Sequence, residues 1–155
     1  MTGGRVRPSD LLGTWTLTRV VEDRLADERR DVVGTATLAL EAPGRVRWSE
    51  EGVMTWAGRS VPVGRTLYVV RLDADRLDGD WEVRFSDGRP FHPWVVGERV
   101  EHPCRPDLYR GLVETEGDPV TRWTVQWQAT GPEKDYVMTT VYHSSARRPD
   151  PGAPA

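Results

Sequence analysis

The side chains best suited to coordinate a metal, attack a substrate or transfer a proton are concentrated in one segment, Phe91–Gly111 (FHPWVVGERVEHPCRPDLYRG). This segment holds His92 and His102, two of the three histidines, and Cys104, the only cysteine. Elsewhere the sequence repeats short alternating strands and tight turns. Functional groups are usually found where such a consistent local pattern breaks. We therefore predict that the segment contributes to a functional site.

Metal or haem binding is the first interpretation of the two histidines and the cysteine. His102 and Cys104 are two residues apart, so on an extended strand they point to the same side. His92 lies earlier in the chain and can approach them across a loop. Two imidazoles and a thiolate suit zinc or copper, with a fourth position open. Pro93 and Pro103 disturb the strand geometry and the spacing is loose, so neither a metal nor haem is the favoured cofactor.

A site without a metal is the second interpretation. Cys104 is a candidate nucleophile if a histidine takes its proton and a cation such as Arg105 stabilises the thiolate. Tyr109 is a candidate proton donor and Arg110 a candidate anion clamp, although strand alternation lets only one of them face the interior. A third interpretation is structural, with histidine nitrogens satisfying loop carbonyls at rigid His-Pro corners. The catalytic candidates are His92, His102, Cys104 and Tyr109.

The seven tryptophans are a second set of candidates. Most of them are expected to be core residues, because they lie on regular strand faces. A barrel interior lined with aromatic rings and their polar N–H and O–H groups would nevertheless suit a planar ligand. The ligand-binding candidates are Trp15, Arg84, His92, Trp94, His102, Tyr109, Arg110, Trp127, Tyr136 and Tyr142.

Short strands must position these side chains, because the sequence contains no long amphipathic helix. The segment 13–21 alternates apolar and polar residues, with Trp15, Leu17 and Arg19 on one side, as expected for a half-buried strand. About eight to ten such strands predict an all-β fold, a single up-and-down antiparallel β-barrel, since closure removes exposed sheet edges. The other predicted strands are 32–40, 45–50, 53–56, 61–63, 65–72, 81–85, 107–114, 121–129 and 135–143.

Composition restricts the class of protein further. A net charge of −3 and a pI near 5.6 give no basic surface for nucleic acid. No signal peptide and no apolar run of ~18 residues is present, so we expect no membrane partner and a cytoplasmic location. Residues 1–8 and 144–155 are predicted to be flexible flanks of one domain, 9–143. The sequence makes no prediction of the oligomeric state.

Two resemblances support the predicted barrel. The motif LGTWTL at 12–17 resembles the Gly-x-Trp signature of lipocalins and fatty-acid-binding proteins, the calycin group, in which the tryptophan plugs one barrel end. The first resemblance implies a calycin-like barrel with a pocket for a small, mostly apolar molecule. The whole domain also resembles a domain-of-unknown-function family of small bacterial, mostly actinobacterial, proteins, which implies no activity. The segments that carry this second resemblance are RWSEEG (47–52), DGRPFHPW (87–94), HPCRPDLYRG (102–111) and TGPEKDY (130–136).

The predicted function is an intracellular barrel that binds a small organic molecule in an aromatic-lined interior. We expect the mouth to be lined by the segment Phe91–Gly111 and by the strand that ends at His143. One alternative is a small enzyme of the cyclase, isomerase or acid–base type, because positioning a reactive conformer requires few catalytic groups. The other alternative is a metal or haem barrel. The pair Glu50 and Glu51, beside a predicted turn, is expected to be solvated.

Overall fold

A computed structural model describes residues 5–73, 75–76 and 79–145. The described residues contain one 3₁₀ helix, Pro8–Leu11, which is followed by strands that make up most of the remaining described residues. The strands are β1 (Gly13–Asp23), β2 (Glu28–Ala42), β3 (Arg45–Trp56), β4 (Arg59–Arg71), β5 (Trp81–Phe85), β6 (Pro90–Pro93), β7 (Val100–Cys104), β8 (Asp107–Glu116), β9 (Arg122–Gly131) and β10 (Lys134–Ser144).

The strands form one antiparallel 10-stranded sheet in the order β6-β5-β4-β3-β2-β1-β10-β9-β8-β7. Consecutive strands pair with each other except β6 and β7, and β1 also pairs with β10, which curls the meander into a nearly closed barrel. The prediction of an all-β, up-and-down antiparallel barrel is therefore confirmed. The two edge strands, β6 and β7, carry Pro90, Pro93 and Pro103, and proline on an edge discourages pairing with other chains.

Two of the strands each combine two segments that the sequence predicts as separate strands. The predicted strands 45–50 and 53–56 are both part of β3, and 61–63 and 65–72 are both part of β4. Gly52 in β3 faces Gly34 in β2, and a Cβ added to Gly34 would lie 2.0 Å from a carbonyl oxygen of β3. The paired glycines therefore permit two continuous strands to approach closely. In the sequence, Gly52 instead suggested a break between two strands.

An aromatic plug fills the end of the barrel beside the 3₁₀ helix. Trp15 is buried, and its Nε1 donates a hydrogen bond of 2.9 Å to the carbonyl oxygen of Leu11. Its ring meets Trp123 edge-on at 6.0 Å, and Trp123 stacks on Tyr142 at 3.8 Å. Such edge and stacked contacts add to the hydrophobic gain of burying the rings. The plug leaves the opposite end of the barrel as the place for a ligand.

The predicted flexible flanks lie partly outside the described residues, which exclude 1–4 and 146–155. Within the described part, the carbonyl of Val6 accepts a 2.9 Å hydrogen bond from Nε1 of Trp94, and Pro8 is buried. Over these same described ranges, no helix has the length and apolar character needed to cross a membrane.

Candidate functional site

A partly open cavity of about 540 Å³ lies at the end of the barrel opposite the plug. Small-molecule sites in proteins have volumes of roughly 300–1,000 Å³ and mostly apolar walls with a few polar groups. This cavity has that composition, because Leu67 and Met138 line it together with Arg65 and several aromatic rings. Its aromatic lining residues are Phe85, Phe91, Tyr109, Trp127 and Tyr136.

Three of these rings form a continuous stack. Phe91 of β6 lies between Phe85 of β5, with ring centroids 4.5 Å apart, and Trp127 of β9, at 4.8 Å. The planes are tilted by only 16° and 15°. Because β6 and β9 are not neighbours in the sheet, the stack bridges the side of the barrel that lacks a β6–β7 ladder. It therefore forms both a wall of the cavity and a closure of the barrel.

A glycine positions the ring of Trp127. Gly111 of β8 is opposite Trp127 in the β8–β9 register, and a Cβ on Gly111 would lie 2.6 Å from two carbons of the indole. A real Cβ contact is never this short. The indole therefore lies flat over the β8 backbone only because residue 111 has no side chain.

The two histidines of the central segment pack edge-on against the ring of Phe91. His92 meets the Phe91 ring edge-on at 4.7 Å, and His102 of β7 meets it at 5.3 Å. His92 Nδ1 lies 2.8 Å from the carbonyl oxygen of Pro93, so Nδ1 must carry the proton that is donated. Burial lowers the pKa of His92 to about 4, against the opposing effect of that hydrogen bond. His92 is therefore a neutral packing residue at neutral pH.

Cys104 lies apart from this aromatic group. It is exposed at the end of β7, opposite Asp107 of β8. In the residues that the structure describes, no three His, Cys, Asp or Glu side chains are grouped so that they could hold a metal ion. The structure thus brings His92 and His102 together around Phe91. Metal or haem binding through His92, His102 and Cys104 stays the alternative that the sequence did not favour.

A polar network lies at the cavity mouth. The Nζ of Lys134 donates a 2.9 Å hydrogen bond to the hydroxyl of Tyr109 and forms a 3.1 Å ion pair with Asp107. The hydrogen bonds to Tyr109 and Asp107 raise the pKa of Lys134 and hold it in its charged form. Burial and the neighbouring Tyr109 raise the pKa of Tyr136. The mouth therefore offers two phenol groups beside a fixed cation.

A charged cluster lies deeper in the barrel, around the carboxylate of Glu50. Arg19 Nη2 and Arg65 Nε both donate to its Oε1, each at 2.7 Å. Its Oε2 accepts a 3.0 Å hydrogen bond from Nε1 of Trp48 and another from the hydroxyl of Tyr142. The carboxylate thus has four donors. We refer to these five side chains as the Glu50 cluster.

The expectation that Glu50 and Glu51 are solvated is wrong for Glu50, which is only 4% exposed. Alternation along β3 explains the difference, because Glu50 shares the inward face with Trp48 while Glu51 lies on the exposed outer face. Burial alone would raise the pKa of Glu50. The charges of Arg65 and Arg19 and the hydrogen bonds outweigh it and lower the pKa to about 2. Glu50 is therefore ionised in the barrel interior.

The other predicted site residues lie away from the cavity. Trp15 belongs to the plug and Trp94 packs near the N-terminal segment. Arg84 lies on the face opposite buried Trp81 and Val83, in a 3.1 Å ion pair with Glu82. Arg110 also points outward, 3.3 Å from Glu101, so Tyr109 is the member of the Tyr109–Arg110 pair that faces the interior. Tyr142 belongs to the Glu50 cluster.

The sequence from residue 11 to residue 144 matches the model of a family of unknown function, DUF6314. The chain belongs to the DUF6314 family. The match spans the whole barrel, from the end of the 3₁₀ helix to the end of β10. No curated protein matches this DUF6314 sequence significantly.

Several solved structures are similar to this DUF6314 barrel. An S-type phycobiliprotein lyase, CPES from Guillardia theta, superimposes with a TM-score of 0.61 at 11% identity, over 87% of each chain. A redesigned β-barrel, mFAP0, bound to DFHBI, has a TM-score of 0.47 at 17% identity, over 87% of this chain and 99% of that one. A DUF3598 protein of unknown function from Nostoc punctiforme has a TM-score of 0.43 at 13% identity, over 89% and 48%. The first likeness supports the barrel fold and nothing further.

Proposed function

We propose that this DUF6314 barrel binds a small planar organic molecule in the cavity opposite the plug. The observation that carries the proposal is the cavity of about 540 Å³ with the stacked rings of Phe85, Phe91 and Trp127 in its wall. Rigid aromatic rings offer a large apolar contact area at little entropic cost, and their edges favour contact with the face of another flat ring system. Tyr109 and Tyr136 supply the few polar groups that orient a ligand in such a site.

Pyrenebutanol is a suitable probe, because it has a flat apolar body and no charge. Drug-sized ligands gain about 0.3 kcal/mol per non-hydrogen atom, so a probe of about 20 such atoms gains roughly 6 kcal/mol. This corresponds to a dissociation constant in the range of tens of micromolar. We expect saturable binding of one probe per chain, measured by equilibrium dialysis and by quenching of tryptophan fluorescence.

A pair of adjacent substitutions tests the location. Met138 lines the cavity opposite Trp127, whereas Val137 is the next residue of β10 and lies on the outer face. Met138→Trp fills the cavity and should weaken pyrenebutanol binding at least about tenfold, whereas Val137→Trp should leave it unchanged. Absence of saturable binding to the unsubstituted protein would contradict the proposal. An equal loss of pyrenebutanol binding in Met138→Trp and Val137→Trp would contradict it as well.

A small acid–base enzyme is the second candidate, and the phenol–cation network at the mouth favours it. Tyr109 lines the cavity beside Lys134, so its hydroxyl can deliver a proton to a bound molecule. The test is to release the molecules that co-purify with the protein, incubate them with fresh protein and follow them by chromatography and mass spectrometry. Conversion that is lost in Tyr109→Phe but kept in Tyr68→Phe, on the outer side of β4, indicates an enzyme. Unchanged molecules indicate a binding protein.

Several finer expectations belong to the same proposal. A calycin-like relationship is supported by the Gly-x-Trp motif at Gly13 and Trp15, since Trp15 contributes to the plug at the start of β1. An actinobacterial source and a cytoplasmic location are retained as proposals that rest on the sequence alone.

A further inference from the structure

We propose that the ligand is an acid, and that its carboxylate is held at the inner end of the cavity by Arg65. This inference rests on the proposed function, because it names the chemical class of the molecule that the cavity binds. Arg65 lines the large cavity and also an adjoining cavity of about 80 Å³. The other charged residues that line the smaller cavity are Arg19, Glu50 and Glu51, of which Glu51 belongs to the exposed outer face of β3. Arg65 is therefore the member of the Glu50 cluster that lines the proposed ligand cavity.

The Glu50 cluster has an uncompensated positive charge. It contains two guanidinium groups, of Arg19 and Arg65, and one carboxylate, of Glu50. Burial and the negative charge of Glu50 raise the pKa of Tyr142, so its phenol stays neutral and does not change this balance. Both oxygens of Glu50 already accept two hydrogen bonds each. The cluster therefore carries one net positive charge and offers no further acceptor to a ligand donor.

The other charges around the cavity are balanced in pairs. Arg89 Nε lies 2.7 Å from Asp87 Oδ2, and Lys134 Nζ lies 3.1 Å from Asp107 Oδ2. Arg89 is also well exposed, with 75% of its side chain accessible, so solvent screens its charge. The excess positive charge is consequently at the inner end of the cavity. Less water screens a charge there, so its attraction for a carboxylate is stronger.

Arg65 can reach a bound carboxylate. Its side chain is 29% exposed, whereas that of Arg19 is 10% exposed. A guanidinium carries five N–H donors, and its planar fork matches the two oxygens of a carboxylate. The donor on Nε is given to Glu50, and terminal N–H groups remain for the ligand. A suitable molecule would place a flat apolar body against Phe91 and Trp127 and an acid group toward Arg65. It would then use both the aromatic wall and the excess positive charge of the site.

The test compares pyrenebutyric acid with pyrenebutanol, which share one ring system and differ in the charged group. We expect the acid to bind about tenfold more tightly at neutral pH, as one charge-assisted pair provides. In Arg65→Gln this advantage should disappear while pyrenebutanol still binds, and Arg65→Lys should keep part of it. The control is Arg47→Gln, on the exposed outer face of β3, which should keep the full advantage.

The outcomes separate the two proposals. Equal affinity for acid and alcohol overturns the acid preference and leaves the binding function intact. Loss of the acid's advantage in Arg89→Gln rather than in Arg65→Gln also overturns it, because the anion would then bind at the rim. Binding of neither probe contradicts both proposals. Should Arg65→Gln fail to fold, the comparison of the two probes on the unsubstituted protein and on Arg89→Gln still decides the question.

Discussion

Replacing Glu50 by glutamine should destabilise the barrel strongly without changing the shape of the side chain. The pKa of Glu50 lies at about 2 in the folded protein, against an ordinary value of 4.5. At about 1.4 kcal/mol per pH unit, this difference corresponds to roughly 3 kcal/mol of folding free energy at neutral pH. Removing one partner of a buried ion pair costs about 3–5 kcal/mol in general, which is consistent. We therefore expect Glu50→Gln to lose about 3 kcal/mol.

The pH dependence of this loss has a definite sign. The folded-state pKa of Glu50 is below its unfolded value, so its stabilising effect is complete above pH 4.5 and disappears as the pH falls through about 2. The difference in the free energy of unfolding between the unsubstituted protein and Glu50→Gln should therefore be constant near neutral pH. It should narrow progressively below pH 4.5.

Urea denaturation followed by tryptophan fluorescence measures the effect directly. With a urea dependence of about 2 kcal/mol per molar, a loss of 3 kcal/mol lowers the midpoint by about 1.5 M. Glu51→Gln is the matched control, since Glu51 is the next residue of β3 and is exposed, and its midpoint should change little. A Glu50→Gln midpoint as close to the unsubstituted protein as that of Glu51→Gln would refute the assignment of Glu50 as an ionised, buried acceptor.

Three further substitutions test the cavity wall and the interior. In Gly111→Ala the new Cβ would meet the indole of Trp127 at 2.6 Å, so we expect a loss of about 1–3 kcal/mol in urea denaturation and weaker pyrenebutanol binding in dialysis. The pKa of His92 is lowered from 6.5 to about 4, so the contribution of neutral His92 to the free energy of unfolding is complete above pH 6.5 and falls toward pH 4. Denaturation at a series of pH values should show this decline, and His92→Phe should lack it. Tyr142→Phe removes a donor to Glu50 and should cost about 1–3 kcal/mol by the same assay.

The barrel could be predicted from the sequence because the signals for it are local. Strand alternation and turn residues lie within a few positions of each other, and together they indicated the strands and their antiparallel order. The edge strands β6 and β7 could not be predicted in this way, because three prolines interrupt their alternation and their pairing depends on neighbouring strands.

The Glu50 cluster was missed although its signal is present in the sequence. Arg19 shares a face with Trp15 and Leu17, and Glu50 shares a face with Trp48, so alternation already places both charges inside. A charge on an apolar face requires a buried partner. Which partner it meets depends on the register of β1, β3, β4 and β10, and a single sequence does not encode that register in any short motif.

The structure places part of the central segment at the cavity. Phe91 and Tyr109 line the cavity, and His92 and His102 surround Phe91. Cys104 lies at the exposed end of β7, a separation that spacing of residues along the chain cannot reveal. The long-range stack of Phe91 on Trp127 also joins strands that are far apart in the sheet order, so only the folded chain shows it.

The most direct test of ligand binding is an NMR titration of isotopically labelled protein with pyrenebutanol, following the backbone amide signals. Binding in the cavity predicts saturable shifts concentrated around Leu67, Phe91 and Trp127, which belong to three different strands that converge there. Shifts centred instead on the exposed outer residues Val33 and Val53 would contradict it. A spectrum that does not change in a saturable way would contradict it equally.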